Sequence, residues 1–189
     1  MAAYEAYVCM HTIVTPTLTL EPLLASHAGE MFELLSDPAI YQYLDYTAPV
    51  SVEYLRGIYQ RWEARRSPDA SEAWLNWVVR LRDQPLAGYV QATVASNRSA
   101  HVAYILASKY WGCGYARLSV EAMLEHLASA YAVDRYLATV EVGNQRSIRL
   151  LERLGFYPVA QHDPLAQRLS ATERMFMRFC AKGRPNADA

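Results

Sequence analysis

Cysteine, net charge and long apolar runs are all scarce in this chain, and each shortage removes a class of explanation. The 189 residues hold three cysteines, Cys9, Cys113 and Cys180, with no Cys-x-x-Cys spacing. An odd number so placed fits free thiols in a reducing, cytoplasmic setting, and supplies neither a disulfide framework nor a metal site. Eighteen Lys and Arg against nineteen Asp and Glu leave a net charge of −1. No general attraction therefore draws the chain to nucleic acid or to a membrane surface. No apolar run has the length of a bilayer span, and the fairly apolar first fourteen residues are broken by Glu5 and His11 with no basic stretch before them, unlike a signal peptide. Internal repeats and low-complexity tracts are absent too. What is present is a 52% hydrophobic share, enough at this length for one domain to bury most of its unfolded surface. That domain is expected over residues 1–182, with 183–189 as a flexible tail.

Two of the few glycines fall at an informative place. From Ala100 to Ala107 runs an apolar stretch short enough for a strand. After Tyr110-Trp111-Gly112-Cys113-Gly114-Tyr115-Ala116, apolar residues recur at Ala116, Val120, Met123, Leu124, Leu127 and Tyr131, the spacing of an amphipathic helix. A glycine pair between strand and helix start lets bare N–H groups approach an anion, helped by the unpaired donors and positive dipole end of the helix. The junction reads as a phosphate or pyrophosphate cradle, or as a mere tight turn. Arg117 fills the place of a third Rossmann glycine, and no Lys-Ser/Thr follows Gly114, so dinucleotide and Walker-type triphosphate binding both lose ground.

About thirty residues on, Arg135 to Val142 reads as a strand, then Gly143-Asn144 opens a helix that Gly155 ends. Asn144 is a favoured N-cap type, and Gly155 suits the left-handed turn after a helix. Ile148, Leu151 and Leu154 share one side of that helix with Asn144 and Ser147, while Arg146, Arg149 and Arg153 cluster on another. Inward polar groups need partners. Capping alone would satisfy both residues, and a functional pairing would satisfy them equally.

Taken together, these segments resemble the GNAT superfamily of N-acetyltransferases. The resemblance rests on the strand ending Tyr104-Ile105-Leu106, the turn from Lys109 to Ala116, and Asn144-Gln-Arg-Ser147 running on to Leu154-Gly155-Phe156. It covers roughly Ala87 to Phe156. The opening strand Leu18 to Pro22 and the loop Asp37-Pro-Ala-Ile40 look most like the branch containing the ribosomal-protein amino-terminal acetyltransferases. Two features depart from the family's habit: Lys109 stands for Gln or Arg, and Leu118-Ser119 occupy a stretch where glutamate is common.

Periodicity along the chain predicts strand 17–22, helix 24–36, helix 51–65, strand 74–82, a turn from Asp83, strand 86–95, a turn at Asn97 and strand 100–107. Helix 114–131, strand 135–142, helix 144–154, strand 156–162 and strand 172–181 follow. The expected class is α/β: a single-domain mixed, mostly antiparallel twisted sheet with a central parallel strand pair and flanking helices.

For the site, the resemblance implies acetyl-CoA as co-substrate and no metal. Cofactor contacts would come from Ile105, Leu106, Lys109, Gly112, Cys113, Gly114, Tyr115, Ala116, Asn144 and Ser147. Arg117 and Arg149 would reach phosphates, or form a solvated helix face. Ser147 would protonate the departing thiolate. Glu141 is the best-placed carboxylate for a base, with Tyr104 and His101 as weaker candidates that also fit plain packing. Tyr43, Asp45, Tyr46 and Trp77, near Tyr41 and Trp74, suit a cationic amine or a core. The acceptor implied is a primary amine, foremost a protein or peptide α-amino group, on a monomer or homodimer. A small amine (antibiotic, polyamine or amino acid) and a non-catalytic CoA-binding sensor stay open.

Overall fold

The computed structural model describes residues 10–82 and 84–180. Cys9, Asp83 and the expected tail therefore lie outside the described residues. Among the described residues, eight strands form one sheet in the order β1-β2-β3-β4-β5-β6-β8-β7. They are β1 Ile13–Val14, β2 Leu18–Pro22, β3 Glu72–Leu81, β4 Leu86–Ala95, β5 Ser99–Leu106, β6 Arg135–Glu141, β7 Tyr157–Pro158 and β8 Glu173–Phe179. Every neighbouring pair is antiparallel except β5 and β6. Helix α3 (Tyr115–Ala130) makes the crossover that this parallel pair needs. Helices α1 (Ala28–Leu35), α2 (Val52–Trp62) and α4 (Gln145–Arg153) complete the layers.

Alternation along the strands divides the core in two. Leu75, Trp77 and Val79 of β3 join Val90, Val102, Met123, Leu127, Tyr136 and Leu151 on the face that carries α3 and α4. Val78 of the same strand joins Met31, Leu35, Leu55, Tyr59 and Tyr89 on the face under α1 and α2. Because β3 is covered on both sides, its apolar residues Trp74, Leu75, Trp77, Val78 and Val79 point to both faces instead of alternating with polar ones. Leu20, Trp77, Met123 and Leu127 are completely inaccessible, and their burial supplies the main drive to close the domain.

Several expectations need correction. The predicted helix 24–36 divides into a 3-10 turn, Ala25–His27, and α1. The helix predicted over 51–65 starts where Ser51 accepts the Tyr54 N–H, but stops at Trp62, and Arg65 sits at φ 56. Strand 156–162 shrinks to Tyr157–Pro158, because Pro158 has no N–H to extend a ladder. Strand β8 slots between β6 and β7, pairing with β6 along seven positions. The short strand β1 and the 3-10 turns Pro38–Tyr43 and Ser108–Tyr110 had no periodic signal.

One feature of the sheet places the site. Strands β5 and β6 pair only at Ser99–His101 with Arg135–Leu137. Beyond those three positions β5 runs on to Leu106 and β6 to Glu141 without partnering each other. On its other side β5 stays zipped to β4 as far as Leu106. Gly88 permits this, since a Cβ there would collide with the Ile105 carbonyl oxygen.

Candidate functional site

Where β5 and β6 part, a cavity of about 460 Å³ opens through the sheet. Its wall includes Val102, Ala103, Tyr104 and Ile105 from β5 and Ala138, Thr139, Val140 and Glu141 from β6. Successive strand residues point to opposite faces, so the opening connects the α3/α4 side of the sheet with the α1/α2 side. Tyr104, Asn144, Ser147 and Leu151 line the first side, and Tyr43, Asp45, Tyr46, Tyr89 and Gln91 crowd the second.

The polar pair at the α4 end is well defined. Tyr104 Oη donates to Ser147 Oγ at 3.0 Å. Asn144 caps α4, its Oδ1 accepting the Ser147 backbone N–H at 3.1 Å. Capping therefore belongs to Asn144 and leaves the serine hydroxyl free of that duty. Since that hydroxyl accepts from Tyr104, its own proton is available to a further acceptor. Burial pushes the Tyr104 phenol up to about 12, and the bond to Ser147 opposes this only in part. At neutral pH Tyr104 is a neutral donor.

The other side carries negative charge with no counter-ion among the described residues. Glu141 and Glu173 sit directly opposite each other on β6 and β8, an arrangement that is destabilising for like charges. Glu141 accepts the Thr172 hydroxyl at 3.2 Å, and Glu173 accepts the Ser170 N–H at 3.0 Å. Both carboxylates line the cavity together with Asp45, and among the described residues no lysine, arginine or histidine shares its wall. The Tyr43 ring approaches within 3.1 Å of where a Cβ on Gly143 would stand, so a glycine at the β6–α4 turn lets this loop reach across the opening. The phenols of Tyr46 and Tyr89 are hydrogen-bonded, and burial holds both above the ordinary tyrosine range.

Gly112 and Gly114 adopt φ 79 and φ 84, left-handed values that favour glycine. Gly114 is the N-cap of α3 and brings no side-chain cap, so the first N–H groups of the helix lack intrahelical partners. A Cβ at either glycine would enter open space. This is the donor set and clearance that a phosphate requires. Exposed Cys113 lies between them, its Sγ at 3.8 Å from the Trp111 carbonyl oxygen.

Not every expected residue joins the cavity. Trp77 does not: it is completely buried on the α3 face, donates to the His11 carbonyl at 3.2 Å and meets His126 edge-on. Trp74 turns toward Glu72, and His101, itself not in the lining, bonds the hydroxyl of the wall residue Thr139 at 3.1 Å. Arg117 pairs with Glu121 across one helical turn at 3.8 Å, half exposed, and Arg149 is exposed. Lys109 lies over its neighbour Tyr110. The carbonyl of Leu106 is taken by Trp111 Nε1 at 2.9 Å. Sequence reasoning missed Arg146, whose guanidinium stacks 3.8 Å over the Trp111 ring and ties α4 to the glycine loop. It also missed Tyr89, Gln91 and Glu173. Glu173 alone had a usable signal, as the acidic residue opening the last strand.

Among the described residues no cluster of His, Cys, Asp and Glu is arranged to hold a metal, and no helix is long and apolar enough to cross a membrane.

Comparison with known proteins adds an independent line. The family described as "Acetyltransferase (GNAT) domain" matches residues 17–157. The "Uncharacterized N-acetyltransferase p20" of Bacillus licheniformis is 26% identical over 149 residues, 78% of this chain and 83% of that protein. Among solved structures, RimL, the ribosomal L7/L12 alpha-N-protein acetyltransferase in complex with coenzyme A, superimposes with a TM-score of 0.75 at 22% identity, covering 89% of this chain and 98% of that one. The microcin self immunity acetyltransferase MccE, in complex with acetyl-CoA and AMP, gives 0.74 at 15% identity over 88% and 94% of the two chains. At such identities these structures share the fold.

Proposed function

From the premise that the chain belongs to the GNAT acetyltransferase family, we propose that it transfers the acetyl group of acetyl-CoA to a primary amine, foremost the α-amino group of a protein or peptide. The observation that carries this reading is the Tyr104–Ser147 pair in an opening through the sheet, with the glycine cradle at the end of the same strand. Acetyl-CoA supplies an activated thioester whose departure leaves a thiolate. Backbone N–H groups of Gly112 to Arg117 hold its phosphates. Ser147 gives its proton to the leaving sulfur, and the Tyr104 phenol steadies the oxygen that remains.

On the other side of the sheet Asp45, Glu141 and Glu173 attract an ammonium, with tyrosine rings around it. An α-amine ionises near 7.7–8.0 in model compounds against about 10.4 for lysine, so an α-amine reaches its neutral form with little help from a base. Glu141 is the carboxylate best placed to take its proton. A second acceptor class, a small polyamine, is favoured by the facing Glu141 and Glu173, which suit more than one positive charge. A screen of acetyl-CoA-dependent acetylation across peptide amino termini and small amines tests the proposal. Transfer to peptide α-amines supports it, and transfer to polyamines alone supports the second reading. Coenzyme A binding without transfer to any amine rejects both.

A further inference from the structure

The loop carrying Tyr43, Asp45 and Tyr46 and the loop carrying Gly112 and Gly114 come from distant parts of the chain, yet one carboxylate joins them. Asp37 caps the turn Pro38–Tyr43, its Oδ1 accepting the Ala39 N–H at 2.9 Å. Its Oδ2 accepts the backbone N–H of Ser108 at 3.2 Å. Ser108 opens the turn that leads into Trp111 and the glycines. Hydrogen bonding from the Ser108 hydroxyl, then from the Ala39 N–H, with the Ser108 N–H adding to them, holds the Asp37 carboxyl below its ordinary range. Packing beneath runs the same way, because Trp111 lies against the apolar cluster that contains Ile40, Tyr41 and Leu44.

We infer that Asp37 is a positioning residue that couples the two loops, so that filling the glycine cradle orders the acceptor loop over residues 38–46. The inference rests on the reading of that cradle as a coenzyme A site. Ile40, Tyr41 and Leu44 anchor the loop, but Gln42, Tyr43, Asp45 and Tyr46 are exposed, and an exposed stretch of this kind opens at low cost. An anion that fixes residues 108–117 fixes the Ser108 N–H as well, and through Asp37 the start of the acceptor turn. Coupling of this kind is reciprocal, so an amine that settles the acceptor loop also tightens the cradle.

Two variants break the bond from opposite ends. Asp37→Asn keeps a carbonyl oxygen for the Ala39 N–H, and Asn is a good cap, but it sets a nitrogen that only donates where Oδ2 accepted. Ser108→Pro removes both Ser108 donors. Proline suits the first position of a helical turn, and Ala107, at φ −56 and ψ 144, already has the backbone preferred before proline.

The experiment is hydrogen exchange over peptides covering 38–46, with and without saturating coenzyme A, beside calorimetry of coenzyme A binding. In the wild type, coenzyme A slows exchange there by about fivefold or more. In each variant the slowing disappears while coenzyme A still binds, and the double variant loses nothing further. A wild type that binds coenzyme A without slowing exchange over 38–46 overturns the inference, as does slowing that survives in either folded variant. A wild type that binds no coenzyme A overturns the reading of the cradle and this inference with it.

Discussion

Tyr104 and Ser147, 43 residues apart in the chain, meet at 3.0 Å with the phenol donating and the serine accepting. That direction makes the Ser147 proton the mobile one. Ser147→Ala should lower kcat by roughly 10²–10⁴ with little change in KM. The melting temperature should fall by only a few degrees, since alanine keeps the backbone N–H that Asn144 caps and loses just the bond from Tyr104, worth about 1 kcal/mol. A lowered melting temperature with normal kcat would return Ser147 to a structural role.

The phenol itself sets a pH expectation. Tyr104 ionises near 10 when unfolded and at about 12 in the fold, chiefly through burial. A raised folded value means that its contribution to stability is complete below about 10 and is lost as pH rises toward about 12. The rate should therefore climb as the amine loses its proton, with no fall caused by Tyr104 below pH about 10. A descending limb between pH 8 and 10 that vanishes in Tyr104→Phe would contradict this.

Gly112 and Gly114 carry the phosphate prediction. Valine at either position adds a side chain to the space in front of the N–H groups and forces a β-branched residue into a left-handed backbone, at a cost of about 1–3 kcal/mol. Acetyl-CoA binding should be abolished. Calorimetry giving near wild-type affinity for a folded Gly114→Val protein would remove the cradle from the account.

Charge at the acceptor side is tested by Asp45→Asn, which keeps the shape and deletes the charge. KM for the amine should rise about tenfold, equivalent to roughly 1.4 kcal/mol, with acetyl-CoA affinity unchanged. Salt should weaken amine binding more in the wild type than in the variant, since only the charge–charge attraction is screened. Equal KM values at low salt would leave Asp45 as a solvated loop residue.

Trp77 separates packing from recognition. It fills the core beside His126, so Trp77→Ala should cost about 3–5 kcal/mol of stability. Without denaturant and below its melting temperature, the folded variant should keep the wild-type amine KM. A KM change without loss of stability would put Trp77 back at the acceptor.

How much was legible beforehand follows from the range of each signal. The strand–glycine–helix junction and the Asn144-to-Gly155 helix are local patterns, carried by periodicity, caps and left-handed turns, and they appear where the sequence placed them. Ser147 and Tyr104 could be named from facing, but their contact depends on how far β5 and β6 separate, which no local pattern encodes. Trp77 was misplaced for a related reason. An aromatic opening a strand looks the same whether its face meets a cavity or a helix, and the answer lies in the packing of α3. Glu173 and Tyr89 come from strands whose order in the sheet had to be known first. Arg146 was read as part of a basic face, because its partner Trp111 lies in another loop.

Acetyl transfer from acetyl-CoA to an α-amine is tested most directly on a substrate that offers two kinds of amine. A peptide bearing both a free amino terminus and a lysine is incubated with acetyl-CoA and the protein near neutral pH, and fragment masses locate the acetyl group. The expected result is acetylation at the amino terminus, fast with wild type and nearly absent with Ser147→Ala. Acetyl confined to the lysine, or equal transfer by both proteins, would contradict it.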